Sequence, residues 1–567
     1  MKRTLLLSVL SVGLTSFAAQ TFQSGELYYT VCGDGASVHV SRNPDTYGYN
    51  LSAAEIPAQV EFENRSFDVT GIEDEAFFLS VSLRTISIPE TVVEIGKGAF
   101  KSCIALEAIN LPAGIAVIES STFAGCSALK QLVVPESVKR IGEEAFSMCS
   151  SLERVDFGAS LEYIGREAFE SCTSLMEVSI PDNVAFVGGR AFSMCDNLTS
   201  VIVGAGVEQI GYNAFGQSGL TSVRWNAVNC REIVYDNTSG SIYKTFPSSV
   251  STLIIDENVS NIPDYLFCNL DKLSEVHLPD ALVKIGSGAF AWCSSLSAIN
   301  IPVKVETVGD LAFMGCDKLQ TLYYDAIALT GGRGVGMSVP TPVEQIIFGD
   351  GVKSLPIQCF INYDKITRIE LPETLETIGE EAFARCTGLT QIGFGTALQE
   401  IDARAFFGCS SLTGIDLGDT AVGVIKEGAF KNCALQSVII GSYAQHIENE
   451  AFMGNPELKS VECKAENPPV CANWTFDNEY DSAELREYID ADLKVPSEAV
   501  GNYRAAAVWN WFKTINGDPY MSSLPDLMVP DAGYDDGVYN LQGVRVADSP
   551  VGLAPGLYIV NGRKIRV

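Results

Sequence analysis

Three histidines, His39, His277 and His446, are all the imidazole this 567-residue chain has, and they fall in distant segments. A catalytic triad or a histidine-built metal centre needs its members gathered at one point, and no spacing here gathers them. His277, in the stretch VHLP, falls at an outward strand position and reads as solvated. Carboxylates are plentiful, 70 against 38 lysines and arginines. Pairs such as Glu143-Glu144 and Glu380-Glu381 recur along the chain. A glycoside-cleaving pair is a single constellation, so the recurring pairs read as a solvated rim. The stretch GGRGVG (Gly331–Gly336) lacks the strand–loop–helix setting of a phosphate-cradling loop, and DAGYDDG (Asp531–Gly537) lacks the spacing and final Glu of a calcium hand. The first reads as an insertion loop and the second as linker. No catalytic, cofactor-binding or metal-ligating residue is therefore expected, no cofactor is implied, and the chain reads as a non-enzyme.

What organises the residues is a repeat. Phenylalanine recurs every 23 residues at Phe77, Phe100, Phe123, Phe146, Phe169, Phe192 and Phe215. It returns at Phe267, Phe290 and Phe313, then at Phe360, Phe383, Phe406, Phe430 and Phe452. The unit reads A-F-x-x-C-x-x-L-x-x-I-x-I-P-x-x-V-x-x-I-G-x-x. Two longer gaps, of 52 and 47 residues, each hide one degenerate copy, with strand-like remnants at Val250–Asp256 and Val343–Gly349. In LERVDF, Leu152, Val155 and Phe157 alternate with polar neighbours, the period of a half-buried strand. A second apolar pair follows, such as Leu161 and Ile164. No unit can bury its own apolar face, but stacked units share a continuous core. The expected fold is a right-handed solenoid with a parallel β-sheet on one face and short strands and turns on the other. The glycine of the I-G pair, as at Gly165, is replaced elsewhere by Glu, Asp, Lys and even Pro263, so the position does not demand positive φ.

Ten of the 16 cysteines stand three residues after a repeat phenylalanine, from Cys103 to Cys433. Other copies put Ser80, Ser218, Leu270, Tyr363 or Asn455 in that slot, which reads as a small buried packing site. Adjacent members would lie about 5 Å apart with parallel side chains, a poor geometry for bridging. The slot therefore reads as a ladder of free thiols. Cys463 and Cys471, off the ladder, form the candidate disulfide.

The ends read differently. Residues 1–19 combine Lys2 and Arg3, an apolar run, and small residues at Ser16 and Ala18, the pattern of a cleaved secretory signal with no lipoprotein cysteine. No other run reaches the length of a membrane span. Residues 20–72 hold short strand patterns and a hairpin-like Glu63-Asn64-Arg65, fit for an N-terminal β cap. The array, about 17 repeats of 23 residues, occupies 73–462. Residues 463–517 form a C-terminal cap with an amphipathic helix from about Ser497 to Phe512, closed by Trp509 and Phe512. Residues 518–567 read as linker and a short β tail. The formal net charge of −32 argues against nucleic acid as a partner.

The unit IGEEAFSMCSSLERVDFG resembles the BspA-like, or Treponema pallidum-type, bacterial leucine-rich repeats over roughly Val69 to Cys463. The end, VYNLQGVRV…GLYIVNGRKIRV, is similar to the sorting tails of secreted Bacteroidetes proteins. The resemblance implies a leucine-rich repeat solenoid, secreted or at the cell surface, that binds a host or bacterial protein or glycan without catalysis. An envelope scaffold with no discrete ligand is the alternative, a hydrolase the remotest one, and a monomer is expected. Outward strand positions and the two interrupted repeats supply the candidate contact residues: Arg154, Asp156, Arg224, Trp225, Tyr235, Tyr243, Tyr323, Tyr324, Arg368 and Glu370.

Overall fold

The computed structural model describes residues 20–234, 244–327, 329, 342–472, 474–476 and 489–519, with the tail strands 538–540, 545–547, 557–560 and 563–566. The signal-like segment 1–19 lies outside the described residues. The chain forms two compact units, Met1–Lys272 and Leu273–Val567.

The first unit opens with a capping sheet. Thr21–Ser24, Leu27–Val31 and Ser37–Ser41 run antiparallel in sequence, and Arg65–Ile72 adds parallel to the third. Gln59–Phe62 pairs antiparallel with Arg65–Ile72 across a two-residue turn. Glu63 and Asn64 there have φ of 48° and 62°. Positive φ at both central residues is what a type I′ hairpin turn requires. Tyr49 ends the core on this side: its ring lies 5.0 Å from that of Phe77, and its hydroxyl donates to the Ser41 carbonyl at 2.7 Å.

Each coil that follows has three sides. One carries a strand of the first sheet, as in Arg154–Asp156, where Val155 is buried between two exposed neighbours. These strands pair in parallel with the coils on either side, Gln131 meeting Arg154 and Glu177 meeting Ser200 in register. The second side carries two-residue strands, among them Arg140–Ile141, Tyr163–Ile164 and Phe186–Val187, also parallel. Here Arg140 lies 4.1 Å over the Tyr163 ring, which stacks on Phe186 at 4.7 Å.

The third side is the A-F phrase itself. The N–H groups of Glu144, Phe146 and Met148 donate to the carbonyls of Arg166, Ala168 and Glu170 in the next coil, at 2.7–2.9 Å. Turn bonds such as Ser147 N–H to the Glu144 carbonyl occupy the peptides between. This alternation turns Glu144 and Met148 to φ of 54° and 61°, and corresponding positions repeat it along the chain. At the I-G position the coils approach so closely that a Cβ on Gly165 would stand 2.5 Å from the Gly142 carbonyl carbon. Glycine there answers crowding between coils, not left-handed backbone.

The ladder rings stack face to face. From Phe77 to Phe215 successive centroids lie 5.1–5.3 Å apart with planes within 9°. Phe246 continues the stack at 5.4 Å from Phe215. The first degenerate copy thus keeps its ring, displaced from the 23-residue spacing by its insertion. Its strand remnant is present as Thr252–Ile255.

In the second unit the sheet runs through Ala298–Ile301, Thr321–Tyr324 and the second remnant, Gln345–Phe348. The ring stack runs from Phe360 to Phe452 and goes one coil beyond the expected end, to Phe476 at 5.2 Å. The sheet also outlasts the array: Ser460–Cys463 pairs with Ile489–Lys494, and that with Phe512–Ile515. Asp518–Pro519 then turns back antiparallel over the edge.

The expected helix is shorter than its pattern, with α-helix only at Val500–Ala505 and 3₁₀ turns at Ser497–Ala499 and Trp509–Trp511. Buried Tyr and Trp need acceptors for their polar tips. The Tyr503 hydroxyl reaches the Ala465 carbonyl at 2.8 Å and the Trp509 indole the Pro469 carbonyl at 2.8 Å. The backbone leaves the helix at Ala506 and passes through φ of 70° at Val508 to bring Trp509 in. Trp509 and Phe512 are fully buried. The tail strands form a four-stranded antiparallel sheet.

Phe169 tests the shared core. It stacks at 5.2 Å on both Phe146 and Phe192 and meets Phe157 edge-on at 5.7 Å. Phe169→Ala should cost about 3–5 kcal/mol. Hydrogen exchange should rise over the neighbouring coils; protection lost only at the chain ends would contradict a core built between coils.

Candidate functional site

Chemistry-bearing groups remain dispersed in the fold. His39 Nε2 lies 3.1 Å from Glu94 Oε1 beside the N-terminal cap, while His277 and His446 are exposed on other coils. Among the described residues no group of three or more His, Cys, Asp or Glu side chains is arranged to hold a metal ion. Of the recurring carboxylates, Glu144 accepts from Ser121 Oγ at 3.3 Å and Glu381 from Gln358 Nε2 at 2.7 Å, so both tie neighbouring coils. GGRGVG and DAGYDDG lie outside the described residues.

The thiol slot is more than a packing site. Nine of the ten ladder sulfurs donate to the carbonyl of the phenylalanine one coil back, among them Cys149 to Phe123, Cys172 to Phe146 and Cys386 to Phe360, at 3.2–3.3 Å. Asn455 makes the same link with Nδ2, to the carbonyls of Phe430 at 3.0 Å and Phe452 at 2.8 Å. Ser218 turns instead to the Phe215 carbonyl of its own coil. The slot thus takes a small donor, and cysteine is the commonest one. Burial pushes the thiols of Cys149, Cys195 and Cys316 up to about 12. Cys463 and Cys471, the expected disulfide, are free thiols. They belong to different strand stacks: Cys463 ends Ser460–Cys463 and accepts from the Tyr503 hydroxyl at 3.0 Å, while Cys471 lies in Val470–Cys471 on the second side.

What is left for recognition is the outward face of the first sheet. Arg154 and Asp156 are exposed there and bind each other, Nε to Oδ1 at 2.8 Å. Arg368 and Glu370 repeat the arrangement in the second unit at 2.6 Å. Arg224 is exposed without an acidic partner among the described residues. Tyr323 is 42% exposed and stands in register with Ile347 on the next strand. Beside them a groove of about 720 Å³ is lined by Glu344, Ile347, Lys365, Thr367, Arg368 and Glu370.

Two expected contact residues belong to the core instead. Trp225 packs edge-on against Phe246 and Phe267, and Tyr324 against Phe348 and Phe360, all exposure lost. Strand alternation turns Arg224 and Tyr323 outward and so must turn their neighbours in. Tyr235 and Tyr243 lie outside the described residues. Ile202, Ile254 and Ile347, 38–42% exposed, are outward residues that the sequence reading passed over. They sit in the continuous apolar runs VIV, LII and IIF, where only the register of their polar neighbours reveals their direction.

The repeat has a known counterpart. The profile of the BspA type leucine rich repeat region matches residues 57–176, 118–241, 241–327 and 340–459, more than half of the chain. The chain belongs to the BspA-type leucine-rich repeat family. Membership points to a protein-binding, non-enzymatic role. A leucine-rich repeat protein from Bacteroides ovatus is 26% identical, covering 70% of this chain and 94% of its own, with a TM-score of 0.43. A leucine rich cell surface protein from Faecalibacterium prausnitzii is 24% identical over 66% of this BspA-type chain and 95% of its own, TM-score 0.30. The T. pallidum leucine rich repeat protein is 27% identical over 37% of this chain and 91% of its own, TM-score 0.30. No match is found among the curated proteins. Among the described residues no helix is long and apolar enough to cross a membrane.

The buried thiols carry a pH dependence. A thiol held neutral in the fold but free to ionise from its ordinary value of 9.0 when unfolded binds more protons in the native state. Its stabilisation is complete below pH 9 and is lost as pH rises toward 12. Each such thiol should remove up to about 1.4 kcal/mol per pH unit across that window, seen as a falling denaturation midpoint in alkali. A thiol reagent at neutral pH should titrate Cys32 first and Cys471, whose thiol burial pushes well up, far more slowly, the ladder reacting only after unfolding. Full reaction of the native protein would refute the sealed ladder.

Proposed function

We propose that this protein is an exported, cell-surface or released binding protein that engages a partner protein or glycan through the outward face of its first sheet, as adhesion-type repeat proteins do. The observation that carries the reading is the division of labour within each coil. Every buried position of the repeat is committed to coil-to-coil packing, as the ring stack and the thiol ladder show. The first-sheet strands present an outward array of side chains free to vary from coil to coil, from Arg154 to Arg224 and from Tyr323 to Glu370. On these strands the exposed apolar and aromatic residues include Val133 and, around the interrupted repeats, Ile202, Ile254, Tyr323 and Ile347, which with Arg suit interface anchoring. Export is supported by the signal-like pattern of residues 1–19, and surface placement by the F. prausnitzii relative, itself described as a cell surface protein.

The test is binding of the purified chain to arrays of matrix proteins and glycans and to intact bacterial cells. Saturable binding should fall at least tenfold, about 1.4 kcal/mol, when Arg154→Ala, Tyr323→Ala, Ile347→Asp and Arg368→Ala are combined. The combined variant should keep its melting temperature. Binding unaffected by these changes would place recognition elsewhere, and protease treatment of intact cells that never sheds the protein would refute surface placement.

A further inference from the structure

Three successive coils of the first unit differ from the rest of its sheet. Their outward residues are Thr199, Ser200 and Ile202, then Thr221, Ser222 and Arg224, then Ser251, Thr252 and Ile254. Parallel pairing sets Ser200, Ser222 and Thr252 in one row and Ile202, Arg224 and Ile254 in the next. The two isoleucines are 41% and 42% exposed and flank the arginine on both sides.

Arg224 is unlike the other arginines of this face. Arg154 is neutralised by the acid two residues on, whereas Arg224 has Ser222 before it and Asn226 after it. Glu177 stands on the strand before Ser200, and Asp256 lies past the end of the strand that pairs with Arg224. Asp256 Oδ1 already accepts from the Asn258 amide and side chain at 3.0 Å each. Among the described residues the guanidinium therefore has no acidic partner, and it stands between two exposed aliphatic side chains on a chain of net charge −32. Thr199, Thr221 and Ser251 spend their hydroxyls on carbonyls of the preceding coil at 3.3–3.4 Å. The hydroxyls of Ser200, Ser222 and Thr252 make no hydrogen bond among the described residues.

We propose that the strip Ile202–Arg224–Ile254, with the hydroxyls of Ser200, Ser222 and Thr252 alongside, docks an extended protein segment that carries a carboxylate between apolar side chains. Charge complementarity selects the carboxylate, since a guanidinium binds that group through paired, charge-assisted hydrogen bonds. The isoleucines select a protein over an acidic sugar, whose hydroxyl-rich flanks would leave them unpaired with apolar surface. The hydroxyl row both donates and accepts, and so suits the alternating N–H and C=O groups of an extended backbone. This assignment rests on the sheet-face reading above and names its partner chemistry.

The experiment uses the full chain and short synthetic peptides alternating Glu with Leu, against matched peptides carrying Gln for Glu and against sialylated and uronate oligosaccharides. The Glu–Leu peptides should bind saturably and weaken with salt. Gln peptides, and the Arg224→Glu variant with Glu peptides, should each bind about tenfold more weakly or worse. Ile202→Asp should weaken binding similarly, and Arg140→Glu, on the second side of its coil, should not. Equal binding of Gln and Glu peptides, no peptide binding at all, or Arg224-dependent binding of the acidic oligosaccharides alone would each overturn the proposal. Array or cell binding by the whole chain that survives Arg224→Glu would overturn it too, yet leave the sheet-face reading standing.

Discussion

A peptide group buried between coils has no water to turn to, and this single requirement governs the repeat. Each coil is too small to satisfy its own backbone, so its donors and acceptors must meet those of its neighbours. The A-F phrase solves the problem by alternation: every second N–H crosses to the next coil, and the peptides between close local turns. The carbonyl of the ladder phenylalanine takes a turn bond from its own coil, as Phe146 does from the Cys149 N–H at 3.2 Å, and a side chain from the following coil reaches back to it as a second donor. The second bond occupies the remaining lone pair of a carbonyl that water does not reach.

The residue choices follow from this need. The donor must be small enough to sit beside a stacked ring and apolar enough to be sealed in, and a thiol meets both conditions. Burial in turn keeps that thiol protonated, removing it from the nucleophilic and redox chemistry that so many cysteines would otherwise suggest. The outward strand positions carry fewer such constraints and vary from coil to coil. The fold accounts both for the dispersal of reactive groups among the described residues and for the freedom of the strand surface to diversify.

Much of this could be read without coordinates. The 23-residue recurrence located the rings, and strand alternation placed Arg154, Asp156, Arg224, Tyr323, Arg368 and Glu370 on the outside. The failures have physical causes. Phe246 escaped because an insertion moved it to 31 residues after Phe215, while the chain still returned it to the stack. Trp225 and Tyr324 were taken for contact residues from their type and their place beside interruptions, although the alternation that exposes Arg224 and Tyr323 buries them. Ile202, Ile254 and Ile347 were hidden in apolar runs whose parity only the pairing register settles. The hydrogen-bonding role of the cysteine slot was masked by Leu270 and Tyr363 in two copies, when Ser218 and Asn455 were the informative substitutes.

The one-way bonding of the third side also gives each unit an electrical sense. Glu144, Phe146 and Met148 send their N–H groups toward the C-terminal coil, while the carbonyls of the peptides that bear them face the N-terminal one. Three peptides per coil, each with a moment of roughly 3.5 D, therefore add head to tail along the stack. The polarity is the reverse of an α-helix: the bare end is negative where the array starts and positive where it stops. Its two terminal segments consequently face opposite demands, one having to offer protons and the other lone pairs, as Thr475 does in receiving the Phe452 amide at 2.8 Å. Neither could serve in the other's place.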